Sequence, residues 1–543
     1  MLFVFAFFAL ALSQPSTAMD PTHTATHVID TGYAKYLGNF TAPFSVGYLG
    51  VPYAEPPVGD LRFRAPVPLD TQKLRDNKHL VNATSYPNFC VQGSLGGGVA
   101  GGAGTEDCLK VNIYAPVNST SKSKLPVLVY IHGGGFLIGN PRVWPFEYWI
   151  NQSPNVVIVS VYYRLDSFGF LAHPSFRDGS VGDLNAGFLD QTEALRWVKR
   201  YIAAFGGDPG QVTINGQSAG ASSVELHLVA NEGQSLFSGA IAQSVYRGPI
   251  PSPEQQVPLF NFVAQQAGCN VSAQISTVLA CLRKAPISAL AQAQDLAGSE
   301  TANPIFNRYN IFQPVIDGKI FTEHPTDLLV QGKFARVPIM AGSTSNETVG
   351  GSDVQSILTF YFPQLTARDL TEFNKIYIPS DFSSEQQRVN TASGEAIFRC
   401  GREILGNAGR KFTKAWTYRY NQPNPTLAPP GDTEHAAENW MMFLGSNFGP
   451  NGTGVFTGLN NVETAFSQEL IGYWLSFVRA SDPNRFKLAR SPIWPDFSTG
   501  QRLVLQEDPQ NTSTTSGVFI EAEPVKESSR CAFIASKSTR MQN

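Results

Sequence analysis

The segment Gly216-Gln217-Ser218-Ala219-Gly220 sets a serine between small residues, the arrangement of a nucleophile elbow. In such a turn the hydroxyl is pushed out of the fold between a strand and a helix. The serine backbone is strained there, and Gly216 and Gly220 let the two arms of the turn pass close together. A second segment, His132-Gly133-Gly134-Gly135-Phe136, bares backbone N–H groups and lets a ligand approach. A serine hydroxyl with free N–H groups nearby suits acyl transfer. The hydroxyl attacks a carbonyl, and each N–H that receives the oxyanion is typically worth about 3 kcal/mol. Five residues are a short pattern, so the reading rests on context and on partners for the serine.

The context consists of strands and a helix. Val212-Thr213-Ile214-Asn215 suits a buried strand leading into the elbow, and Ala219 to Leu228 suits the helix leaving it. Leu125-Pro126-Val127-Leu128-Val129-Tyr130-Ile131 reads as another buried strand and delivers the glycine loop. Two later strand patterns are Val337 to Gly342, followed by Ser343-Thr344-Ser345-Asn346-Glu347, and Ala415 to Tyr420, which precedes a loop carrying His435.

Further blocks give the chain a family likeness. They are Leu49 to Gly59 with Leu61-Arg62-Phe63, Glu106-Asp107-Cys108-Leu109 with Asn112-Ile113-Tyr114, Tyr163-Arg164, Asn185 with Asp190-Gln191, and Pro314 to Gly318. With the elbow and glycine loop, they make the chain resemble the type-B carboxylesterases, the family of fungal lipases, cholinesterases and animal carboxylesterases. The resemblance runs from about Gly32 to Cys531. It implies an α/β-hydrolase fold: a central, mostly parallel, twisted sheet with helices on both faces and helical insertions capping the active site. It also implies that Gly134, Gly135 and Ala219 supply the oxyanion N–H groups.

A serine nucleophile needs a base, and the base needs an acid to hold its tautomer. In this fold the histidine comes last in chain order. His23, His27 and His79 precede the sheet, His132 stands before the glycine loop, and His173, His227 and His324 lack a suitable loop, which leaves His435. The family pattern of an acidic residue three positions on is met by Glu438. The family places its glutamate five residues after the strand-end glycine, here Glu347; its neighbours Asn346 and Thr348 depart from the usual Asp-Glu-Gly. Glu323 and Asp353 are the competing acids, neither on a strand-terminal turn. The expected triad is Ser218, Glu347 and His435. It works through an acyl-enzyme and calls for no metal and no cofactor.

The whole chain is consistent with such an enzyme. Its 543 residues are 42% hydrophobic and 15% charged, which suits a large core. A formal charge of -3 offers no basic face and disfavours nucleic acid as a partner. Residues 1–18 read as a signal peptide: Leu2 to Leu12 is an apolar run too short to span a bilayer, with small residues permitting cleavage after Ser13 or Ala18. The remainder, 19–543, is expected to be one secreted catalytic domain without a stable membrane anchor.

Six cysteines in an oxidising compartment allow fifteen connectivities. Local loops favour Cys90–Cys108 and Cys269–Cys281, and Cys400–Cys531 follows by subtraction. Sequons at Asn39, Asn82, Asn118, Asn270, Asn451 and Asn511 are glycosylation candidates. Asn346 also opens a sequon, which is set aside for its closeness to Glu347.

Departures from the family speak to substrate. Cholinesterases and many relatives carry glutamate where Gln217 stands, so the pocket here has one carboxylate fewer to attract a cation. The segment 91–107 carries seven glycines and no tryptophan, so it offers no cation–π contact and no stable helix. It is expected to be a short mobile flap with little response to oil interfaces. The substrate class is then a neutral small-molecule ester, soluble or bulky and lipophilic, with feruloyl or sterol esters among the options. The contrasting class is a catalytically silent, cholinesterase-like binding or adhesion protein; this chain keeps the triad and glycines that silent relatives lose.

Overall fold

The computed structural model describes residues 27–543 apart from 77–79, 95–99, 231–234, 300–309, 426–431 and 449–453. Its centre is an eleven-stranded sheet. In chain order the strands are β1 (Asn39–Ala42), β2 (Ser45–Pro52), β3 (Lys110–Pro116), β4 (Leu125–Ile131), β5 (Val157–Val161), β6 (Gly207–Gln217), β7 (Gly239–Gln243), β8 (Ile339–Thr344), β9 (Ala415–Tyr420), β10 (Gln501–Leu505) and β11 (Phe519–Ala522). Across the sheet they run β11-β10-β9-β8-β7-β6-β4-β5-β3-β2-β1. The seven strands from β10 to β5 are mutually parallel, while β11 and the β3-β2-β1 edge pair antiparallel. This is the mixed α/β sheet expected from the sequence.

The unbroken apolar runs of the central strands follow from burial on both faces. On β4, Val127, Val129 and Ile131 enter one core with Ile214, Ala240 and Ile339, while Leu128 and Tyr130 enter the other with Ile241, Met340 and Trp416. A third cluster, built from the helices between Val354 and Phe398 and closed by Cys400 and Cys531, lies beyond the loop carrying Glu347. The helix Ala219–Ala230 is buried around nearly its whole circumference, so polar solvation does not dictate its facing and the elbow does.

The family blocks prove to be scaffold. Arg62 grips Glu106 through two 2.6 Å hydrogen bonds and also donates to the carbonyls of Leu282 and Ala285. Arg164 pairs with Asp190 in the same forked manner, at 2.6 and 2.8 Å. Asn185, held at a left-handed φ of 58°, donates to Val315 O and Asp317 Oδ2, each at 3.0 Å. These charges are almost fully buried, so each pair must satisfy the other's hydrogen-bonding needs. They join segments far apart in sequence. The three disulfides are Cys90–Cys108, Cys269–Cys281 and Cys400–Cys531.

Candidate active site

β6 ends at Gln217, and the chain reverses at Ser218 with φ of 59°, a conformation costing a non-glycine residue on the order of 1–3 kcal/mol. The turn is tight enough to exclude a side chain on either arm. A Cβ added to Gly216 would lie 2.3 Å from the Gly220 backbone, and one on Gly220 would lie 2.1 Å from Ile131 O. Ser218 N donates to Gln243 O at 2.9 Å, so the turn is also tied to β7. The helix Ala219–Ala230 starts at once, which leaves the Ala219 N–H without an intrahelical acceptor.

The glycine loop lies alongside. Gly134 has φ of 108° and Gly135 of 66°. Among the described residues, neither N–H donates to another group of the chain. The loop is held from its other side: Ile138 N donates to Gly134 O at 3.0 Å, and Gln313 Nε2 donates to Gly135 O at 3.1 Å. His132 belongs to this support. Its Nδ1 lies 2.9 Å from Gly133 O, its ring stacks on Tyr163 at 4.5 Å, and burial pushes its pKa down to about 4. Gln313 is a contributor that the sequence did not disclose.

Three distant segments converge on one hydrogen-bonded line. His435 Nε2 is 2.8 Å from Ser218 Oγ, and its Nδ1 is 2.7 Å from Glu347 Oε2. Glu347 Oε1 accepts from Thr344 N at 3.0 Å at the end of β8. With the proton on Nδ1 donated to Glu347, Nε2 is free to accept from the serine. Glu347 is fully buried, whereas about a quarter of the His435 side chain (27%) stays exposed, so the imidazole is reachable from solvent.

Burial alone would raise the Glu347 carboxyl. The charge of His435 and hydrogen bonds outweigh it and hold the pKa below the ordinary carboxylate range. Ser244 adds to this by its nearness, although its hydroxyl has no well-aligned partner. For His435, burial favours the neutral ring, but the Glu347 charge and hydrogen bond, with a smaller contribution from Glu438, raise its pKa above the ordinary value. Glu438 itself is buried, and burial together with the Glu347 charge pushes it up to about 7.

Two neighbours of His435 were not expected. Phe398 packs its ring 4.1 Å from the imidazole, on a π-helical turn Glu395–Arg399. Such single turns occur frequently at functional sites, and nothing local in the sequence marks this one. Gln217 was read only as a missing charge. It places Nε2 3.4 Å from His435 Nε2, at the long end for a hydrogen bond.

The competing acids are engaged elsewhere: Glu323 pairs with Lys333 at 3.3 Å on the surface, and Asp353 caps the helix Val354–Tyr361. The described parts of 91–107 form no helix. Gln92 is bonded to Cys90 O and to both the N–H and carbonyl of Gly139, Gly93 N donates to Leu137 O, and Ala100 N donates to Asp295 Oδ2. Those bonds tie the described parts of the segment to the residues beside it. Among the sequons, Asn39, Asn82, Asn118, Asn270 and Asn511 are exposed, and Asn451 lies outside the described residues, as does the segment 1–18.

A strand-to-helix serine turn beside a glycine loop, on a mixed sheet with a late histidine, defines a hydrolase of the α/β type. Residues 27–523 match the carboxylesterase family model, and the chain belongs to the carboxylesterase family. It is 32% identical to secreted lipase 1 of Botryotinia fuckeliana, covering 84% of this chain and 85% of that protein. Carboxylesterase 1D of Mus musculus is 30% identical, covering 87% of each. The crystal structure of Aspergillus niger EstA superposes with a TM-score of 0.82 at 31% identity, over 96% of this chain and all of that one.

Proposed function

We propose that this carboxylesterase-family protein is a secreted serine ester hydrolase in which Ser218, His435 and Glu347 act as nucleophile, base and acid. The observation that carries the reading is the single imidazole hydrogen-bonded at once to Ser218 Oγ and to the buried Glu347. His435 takes the serine proton as Oγ attacks the ester carbonyl, and the developing oxyanion is met by the N–H groups of Gly134, Gly135 and Ala219. The imidazolium, steadied by Glu347, protonates the leaving alcohol. The neutral imidazole then activates a water that frees the acid and restores the serine. Every atom this requires comes from the chain, the ester and water.

Secretion is supported by the apolar N-terminal run, the three disulfides and the likeness to a secreted lipase. Neutral esters are favoured because Gln217 puts an amide, not a carboxylate, beside the imidazole. A fluorophosphonate probe should label wild-type protein on the Ser218 peptide and leave Ser218→Ala unlabelled. That variant should lose about 10⁴–10⁶-fold of its turnover of p-nitrophenyl esters while still folding. Labelling elsewhere, or substantial turnover by the variant, would overturn the assignment. A panel of p-nitrophenyl, methyl-ferulate, triglyceride and sterol esters reads the acyl and alcohol preference.

A further inference from the structure

The loop after β8 carries two residues of opposite facing. Glu347 turns inward to His435 and is buried, whereas Asn346, one position earlier, is exposed. Closeness in sequence to the acid therefore does not bring the Asn346 side chain to the catalytic face. Asn346 is held in place by the loop that bears the histidine: its N–H donates to Thr433 O at 3.0 Å, and its Oδ1 accepts from Thr433 N at 3.1 Å. Both bonds use groups that survive if Nδ2 is substituted, since an N-glycosylated asparagine keeps its carbonyl oxygen. Asn346-Glu347-Thr348 is an acceptor sequon.

A cavity of about 410 Å³ lies against this loop, within the range of small-ligand sites. Its walls include Thr348, Gln387, Asn390, Thr391, Arg399 and Asp432, and every lining residue is polar or charged. Gln387, Asn390 and Thr391 lie three and four residues apart on the helix Glu385–Gly394, so they share one face toward the cavity. A lining of amides, hydroxyls, one guanidinium and the acidic residues Glu347 and Asp432, with no apolar residue among them, does not suit an acyl chain or an aromatic alcohol. It suits a ligand that presents hydroxyls and an acetamide in several directions, which is the chemistry of an N-acetylated sugar.

We propose that Asn346 carries an N-linked glycan whose innermost N-acetylglucosamine sits in this cavity, on the outer side of the loop that supplies Glu347. The attachment rests on the reading that the chain enters the secretory pathway. There the Asn346 amide nitrogen loses a proton and bonds to the anomeric carbon of a lipid-linked oligosaccharide. The bond from that carbon to the lipid diphosphate breaks, and the diphosphate leaves with the electron pair. The seated sugar then bridges the acid loop to the helix Glu385–Gly394. That helix abuts the same loop through Gly394, where an added Cβ would lie 1.8 Å from Glu347 O.

The test expresses the full chain in a eukaryotic secretory host and maps glycopeptides by mass spectrometry, with Asn39, Asn82 and Asn118 as internal controls. Asn346 should be occupied in wild type and in Thr348→Ser, and bare in Thr348→Ala. Peptide:N-glycosidase applied to native protein should release the Asn346 glycan about tenfold more slowly than those at the control sites, and equally fast after denaturation. Control sites occupied with Asn346 bare would overturn the proposal and leave the secretory reading intact. No sequon occupied and no protein in the medium would overturn both. Equal release from native protein at every site would overturn the seating in the cavity.

Discussion

The serine side of the site and its histidine–glutamate side are held by different means. Around Ser218 the backbone does the holding: Gly216, Gly220 and Gly134 sit where a side chain would strike main-chain atoms, and the strained serine is fixed by neighbouring strands. Around Glu347 and His435 the contacts run mainly through side chains and loops. The imidazole bonds Glu347, Asn346 bonds Thr433, and Phe398 covers the ring. Ser218 is thus placed by local sterics, while His435 and Glu347 are placed by contacts between segments far apart in sequence. Substitutions should therefore fail differently on the two sides, one by misfolding and the other by loss or retuning of proton transfer.

The largest effect expected on the histidine side is that of Glu347→Gln. By analogy with other triads it should cost about 10³–10⁴-fold in kcat, because the tautomer and the imidazolium lose their support. On the proposed mechanism His435 acts as base only when neutral, so its raised pKa puts the acid limb of kcat/KM above that expected for an ordinary histidine. Removing the Glu347 charge leaves burial dominant, and the limb should move to lower pH in the residual activity. A pH–rate profile checks the sign; an unmoved or raised limb would contradict the placement.

On the serine side, Gly216→Ala should act on folding instead. The added methyl meets the Gly220 backbone at 2.3 Å, and no flexible side chain is there to yield. A loss of several kcal/mol, on the order of 3 or more, should show as lower Tm and yield. A well-folded, merely slow Gly216→Ala would break the contrast between the two sides.

Gln217→Glu crosses between them. A carboxylate in that position would stand beside His435 Nε2, raise its pKa and shift the acid limb upward. It should also improve kcat/KM for choline-type esters over neutral ones by about three- to tenfold, a Coulomb gain of about 1 kcal/mol. The smallest effect belongs to Glu438→Gln. Glu438 makes the least of the contributions raising His435, so its loss should lower the acid limb in the same direction as Glu347→Gln but by less. A larger shift than that of Glu347→Gln would mean that Glu438, not Glu347, is the main electrostatic partner.

Legibility in the sequence tracked the same division. The strands β4 and β9 fall on the apolar runs read for them, Leu125 to Ile131 and Ala415 to Tyr420, because burial on both faces leaves no other use for such runs. The elbow was legible because its requirement is local: five residues contain the strain and the room for it. Glu347 and His435 were placed by chain order and likeness to a family, since a loop glutamate or histidine carries no local mark. Phe398 and Gln313 could not be found, because a π-helical turn and a donor reaching from another segment depend on tertiary packing.

By itself, then, the sequence determined the class of fold and the strained serine with its glycine neighbours, since each rests on short-range sterics or on patterns of burial. Only the tertiary structure decided the rest. It brought an imidazole within 2.8 Å of the serine across 217 residues and turned Asn346 outward while Glu347 turned inward. It also built a polar cavity from a helix and a loop with no common motif. Those are facts of distance and direction, and they exist only once the chain is packed.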